Sequence, residues 1–184
     1  MLNGEEAWSP PNGTDFILTA AGRMWDAVRV PARIGLRVTE RLADSSGAVI
    51  QDGWGGLLYW LVRPRAADDW GLPKPCVEIR GEGTYVAVPP GWCTQEQWRL
   101  RWIVPPTRTC YLTDPELLHA ALAAEIDILI GPRSALLPCR PCLGGIVFGG
   151  RHDCRGTSSM TVGGRKMPPG PCPCPCMHRQ LAQP

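Results

Sequence analysis

Between residues 14 and 104 the apolar positions come in short runs that either alternate with polar ones or are apolar throughout, each closed by turn residues. Residues 14–19 and 25–30 are β-rich and flank Ala20-Ala21-Gly22-Arg23, which predicts a hairpin of two strands. Pro31 then opens a helix, because Ile34, Val38 and Leu42 recur every four residues while Arg33, Arg37, Arg41 and Glu40 take other faces. That amphipathic segment should reach about Asp44. After the Ser45-Ser46-Gly47 turn comes the short run Ala48-Val49-Ile50. Asp52-Gly53 and Gly55-Gly56 then lead into Leu57-Leu58-Tyr59-Trp60-Leu61-Val62, which is apolar on both alternating faces and so predicts a central strand covered on each side. Residues 76–80 and 84–88 predict a further pair of short strands. Residues 98–104 set Trp98, Leu100, Trp102 and Val104 against Arg99 and Arg101, as a half-exposed strand does. Thr113-Asp114-Pro115-Glu116 is a helix start with Thr113 as cap and Glu116 closing a capping box, and the helix should run to about Ile128. The order implies an α+β fold with a mixed or antiparallel sheet and two main helices.

This patterning stops near Leu137. The 47 residues from Pro138 to Pro184 hold 8 Pro, 8 Gly and 6 of the 9 Cys, with Phe148 the one aromatic residue. So little apolar surface cannot offset the entropy of ordering the chain, which predicts a flexible N-terminus over residues 1–13, an α+β domain over 14–137 and a disordered tail over 138–184. A segment translated out of frame would show the same loss of pattern. Charge divides along the same line: the formal +2 is −3 over residues 1–137 and +5 over the tail. The expected domain therefore lacks the net positive field of a dedicated nucleic-acid binder. Lys74 and Lys166 are the only lysines beside 17 arginines, and with abundant Ala, Gly and Pro this suggests a high-GC bacterial genome. Neither a signal peptide nor a membrane span is expected, which places the protein in the cytoplasm with reduced cysteines.

Candidate chemistry concentrates in Val77-Glu78-Ile79-Arg80-Gly81-Glu82-Gly83-Thr84-Tyr85-Val86-Ala87-Val88-Pro89-Pro90. An acidic residue sits there between apolar neighbours, ahead of an Arg-Gly-x-Gly turn and a second strand. The stretch resembles the third motif of the bifunctional primase-polymerase domain. The resemblance covers roughly residues 14–106 and implies an α+β primase-polymerase-like fold. It also implies a site where carboxylates hold two divalent metals, Mg²⁺ or Mn²⁺, and a basic side chain meets the incoming nucleotide. Carried over residue by residue, Asp26 is the one acidic residue where an Asp-x-Asp pair would stand, with Val28 in the second place. Gly55-Gly56-Leu57-Leu58 lies where a Gly-Gly and a histidine would, with Leu58 in the histidine position. Glu78 remains from the third motif. Asp26 and Glu78 alone offer too few oxygens to hold two hard cations, so the expectation is a non-catalytic module with no resident cofactor. Arg80, Gly81 and Gly83 are candidates for contacting a phosphate, or form merely a tight turn.

Two further features bear on function. Cys139-Arg140-Pro141-Cys142 has the spacing of one half of a zinc ribbon, and Cys154 and Cys172 are possible partners downstream, among His152, Cys174, Cys176 and His178. Ordered zinc, adventitious soft-metal binding and an inert tail are all open. The eight tryptophans exceed what a core this size takes, so some of Trp54, Trp60, Trp70, Trp92, Trp98 and Trp102 should stand exposed near loops. Trp98, Arg99, Arg101 and Trp102 are the interaction candidates. The negative domain favours a protein partner over nucleic acid or nucleotide. Against this regulatory or interaction role stand a residually active metal-dependent nucleotidyltransferase using Asp26, Glu78 and Asp52, and a small interaction protein unrelated to primases.

Overall fold

The computed structural model describes residues 8–107, 110–130, 138–149, 154, 157–158, 161–162, 165–166 and 170–172. The chain divides into two compact units, Met1–Leu122 and Ala123–Pro184. The first is built on a five-stranded, wholly antiparallel sheet whose strands are β2 (Asp26–Pro31), β3 (Val49–Asp52), β4 (Leu57–Val62), β5 (Glu78–Arg80) and β7 (Leu100–Val104). Their order is β5-β2-β4-β3-β7. The run that is apolar on both faces, β4, is the central strand. Five of its six residues are buried, because both faces of the sheet are covered around it.

One face carries Val28, Val30, Leu58 and Trp60 and is covered by α1 (Ala32–Leu42), which turns Ile34, Gly35, Val38 and Leu42 inward. The close approach depends on Gly35. A Cβ there would come within 2.9 Å of Leu58 Cδ2 and 3.2 Å of the Trp60 ring. On the other face Ala27, Ile50, Leu61 and Trp102 pack with Val86 and Val88 of β6 (Tyr85–Val88).

The predicted hairpin is absent. β1 (Ile17–Ala20) pairs with β6, from Ile17 opposite Val88 to Ala20 opposite Tyr85, while β2 pairs with β4 and β5. Residues 76–80 and 84–88, predicted as two short strands, supply β5 and β6, which lie in different sheets. The two turns dock on each other instead: Ala21 N–H donates to Thr84 O at 3.0 Å, and a Cβ on Gly22 would lie 2.5 Å from the Glu82 Cα. Short-range turn signals cannot distinguish a hairpin from two chain segments that change sheet side by side.

In α2 (Pro115–Ile130) the cap is Asp114, whose carboxylate accepts the N–H groups of Glu116 and Leu117 at 2.9 and 3.1 Å, with Pro115 in the first turn. Thr113 is buried, and its hydroxyl accepts the Gly47 N–H at 3.0 Å. Among the described residues, no helix is long and apolar enough to cross a membrane.

The second unit contains α3 (Arg140–Phe148) and four two-residue strands, β8 (Thr157–Ser158), β9 (Thr161–Val162), β10 (Arg165–Lys166) and β11 (Gly170–Pro171). β8 pairs with β11 and β9 with β10, both antiparallel. The segment expected to be disordered thus contributes these elements, and the rest of that expectation falls on residues outside those described.

Candidate functional site

Residues directly opposite one another in an antiparallel pair project to the same face, so the register decides which candidate side chains can meet. Val28 stands opposite Ile79 on one side and Trp60 on the other, whereas Arg29 stands opposite Glu78 and Tyr59. Asp26, Val28 and Leu58 therefore share the face under α1. Glu78 lies on the other. The carboxylate pair carried over from the resemblance is not one site: a one-residue step along a strand reverses the face, and the sheet stands between Asp26 and Glu78.

Asp26 is 2% exposed. Its Oδ2 accepts the backbone N–H of Arg65 at 2.6 Å, holding a residue of φ +63° in a left-handed conformation. Among the described residues, Oδ1 has no hydrogen-bond partner. Gly81 closes over the group, since a Cβ there would lie 3.4 Å from both carboxylate oxygens. Burial raises the Asp26 pKa above the ordinary 3.8, with the Arg65 N–H opposing that shift. This carboxylate anchors the chain after β4. Leu58 is wholly buried beneath α1.

On the other face Glu78 Oε2 receives the Arg29 guanidinium and, at 3.1 Å, that of Arg80. Two cations flank one carboxylate. Arg29 stands opposite Tyr59 in the pairing of β2 with β4, and the Tyr59 pKa is raised by burial and lowered in part by the arginine charge. Tyr59 in turn lines a cavity of about 210 Å³ with Phe16, Asp52, Trp54, Ala87 and Leu100. A second cavity of about 420 Å³ shares Phe16, Trp54 and Leu100 with it and adds Trp92, Trp98 and Arg99. Trp54, Trp92 and Trp98 are 68, 52 and 45% exposed, and the last two meet edge to face with ring centroids 5.7 Å apart. The Glu78 face therefore sets two guanidinium groups and their shared carboxylate beside an aromatic cleft that Asp52 also lines.

Other candidates are committed to structure. Asp52 Oδ1 accepts the N–H groups of Trp54 and Gly55 at 2.9 and 3.0 Å, shaping the turn into β4. Gly83, at φ +79°, serves the β5–β6 turn, in which Thr84 N–H and Oγ1 both bond Gly81 O. Arg101 donates to Gln51 Oε1 at 2.9 Å and to Thr94 O at 3.3 Å. Trp102 is not an interaction surface: it is 1% exposed, with its indole N–H shared between the Pro89 and Pro90 carbonyls. Trp98 and Arg99 stand exposed just before β7.

Arg29 and Tyr59 belong to the site and were not among the candidates. Their signal is a single cation within Asp26-Ala27-Val28-Arg29-Val30-Pro31 and a phenol within the apolar β4 run, each a polar group in an otherwise buried strand. In the second unit, Cys139, Cys142, Cys154 and Cys172 converge, with their Sγ atoms all within 4.8 Å of one another. No family model matches the chain, and neither a curated protein nor a solved structure matches it.

Proposed function

We propose that the α+β unit is a non-catalytic, primase-polymerase-like module that acts by binding, with the aromatic cleft beside Tyr59 as its working surface and a protein segment as its partner. The observation that carries this reading is the register: Asp26 and Glu78 occupy opposite faces, and two arginines neutralise Glu78. A two-metal centre needs several oxygens around each ion, and among the described residues neither face brings three carboxylate or histidine ligands together. Exposed Trp54, Trp92 and Trp98 provide the large, rigid apolar anchors that dominate protein recognition. The Phe16, Ile17 and Leu18 side chains, 52 to 63% exposed, extend that surface along β1.

A second reading is favoured by the register that sets Arg29 opposite Tyr59, a residue that lines the cavity. An aromatic-walled cleft beside two guanidinium groups fits a nucleotide, its base stacked and its phosphates on Arg29 and Arg80.

Primer extension by the full chain with Mg²⁺ or Mn²⁺ separates binding from catalysis. No extension is expected, and extension that disappears in Glu78→Gln would overturn the non-catalytic reading. Thermal unfolding with a nucleoside triphosphate distinguishes the two ligands. An unmoved midpoint at millimolar nucleotide supports the protein partner, and a rise lost in Arg29→Ala supports the nucleotide.

A further inference from the structure

The four converging cysteines come from separate places in the sequence. Cys139 and Cys142 flank the start of α3, where Cys139 is the N-cap and Pro141 lies in the first turn. Cys154 precedes β8 and Cys172 follows β11. The pairing of Thr157 with Pro171 holds those two stretches side by side. Three of the four are buried and Cys154 is half-buried against them. None of the four is in a disulfide among the described residues.

We propose that Cys139, Cys142, Cys154 and Cys172 form a structural zinc site. With Zn–S bonds of about 2.3 Å, a tetrahedron has sulfur–sulfur edges of about 3.8 Å, so ligands already within 4.8 Å need to move inward by no more than about 1 Å. The spacing Cys-x-x-Cys at a helix start lets two sulfurs reach one ion. The Cys139 N–H donates to Cys172 Sγ at 3.2 Å, which is the outer contact a metal-bound thiolate takes up. Four thiolates on Zn²⁺ leave a net −2, and residues 138–184 carry a net +5 to accommodate it. Four protein ligands leave no open position for water or substrate. The ion's role is therefore to order a segment whose composition supplies too little apolar surface to order itself.

The decisive measurement is elemental analysis of the full chain purified under reducing conditions without chelator. One zinc per chain is expected. It should fall severalfold in Cys142→Ser and Cys154→Ser and persist in Cys174→Ser and Cys176→Ser, at positions outside the described residues. Because a serine variant can fail to fold, the unaltered chain is also titrated with Co²⁺. A saturating 1:1 spectrum with strong thiolate charge transfer and tetrahedral visible bands is expected. Iron or copper in place of zinc, a weak octahedral cobalt spectrum, or loss of metal only in the Cys174 and Cys176 variants would each overturn the site.

Discussion

At the residue scale, Asp26 and Glu78 show how a carboxylate takes different roles according to the face it occupies. Buried Asp26 is an acceptor for the Arg65 N–H, and Asp26→Ala should cost about 1–3 kcal/mol because that donor loses its partner. Asp26→Asn keeps an acceptor and removes the charge. The Asp26 pKa is raised on folding, so the native state holds this proton more tightly than the unfolded chain does. The group's favourable contribution is then complete below the ordinary 3.8 and is lost as pH rises through the folded value. Urea midpoints measured across that window should therefore fall less with rising pH in Asp26→Asn than in the unaltered chain. Thiol chemistry separates in the same way. Burial pushes the Cys76 thiol up to about 11 and also raises that of Cys93, whereas Cys110 is exposed. With a thiol reagent near pH 8, Cys110 should react at once, and Cys76 and Cys93 only when the chain unfolds.

At the element scale, α1 and β4 approach most closely at Gly35, where any Cβ would have to displace Leu58 Cδ2. Gly35→Val puts two further methyl groups beyond a Cβ that already crowds Leu58, and should lower stability by about 1–3 kcal/mol despite removing a glycine from a helix. A thermal midpoint several degrees lower, with an unchanged far-ultraviolet spectrum at 20 °C, is the expected result. For α2, Asp114→Ala should cost about 0.5–2 kcal/mol through loss of the cap that serves Glu116 and Leu117. Capping motifs show in sequence that a helix begins, but two adjacent capping residues compete. Here Thr113 is drawn inward by Gly47 and Leu61, whose backbone groups it satisfies, and Asp114 is left to cap.

At the scale of the whole molecule, the two units rely on different sources of order. The sheet unit buries Trp25, Trp60, Trp102 and a set of branched aliphatic residues, enough apolar surface to stand without a metal. In hydrogen exchange on the full chain, a strong chelator should speed exchange in α3 and leave protection in β2 and β4 unchanged. Equal loss in both would show that the metal supports more than the second unit. Much of this organisation is legible in the sequence. Residues 57–62 specify a central strand because they are apolar on both faces, Ile34, Val38 and Leu42 specify a helix stripe, and the loss of pattern after Leu137 marks a change in composition. All of these are local: they depend on periodicity within one element. The pairing of β1 with β6, the separation of Asp26 from Glu78, and the placing of Arg29 between Glu78 and Tyr59 depend on strand register. So does the convergence of Cys154 and Cys172. Only the tertiary structure decides these, because a single-residue shift in pairing changes no local preference yet moves every side chain of a strand to the other face.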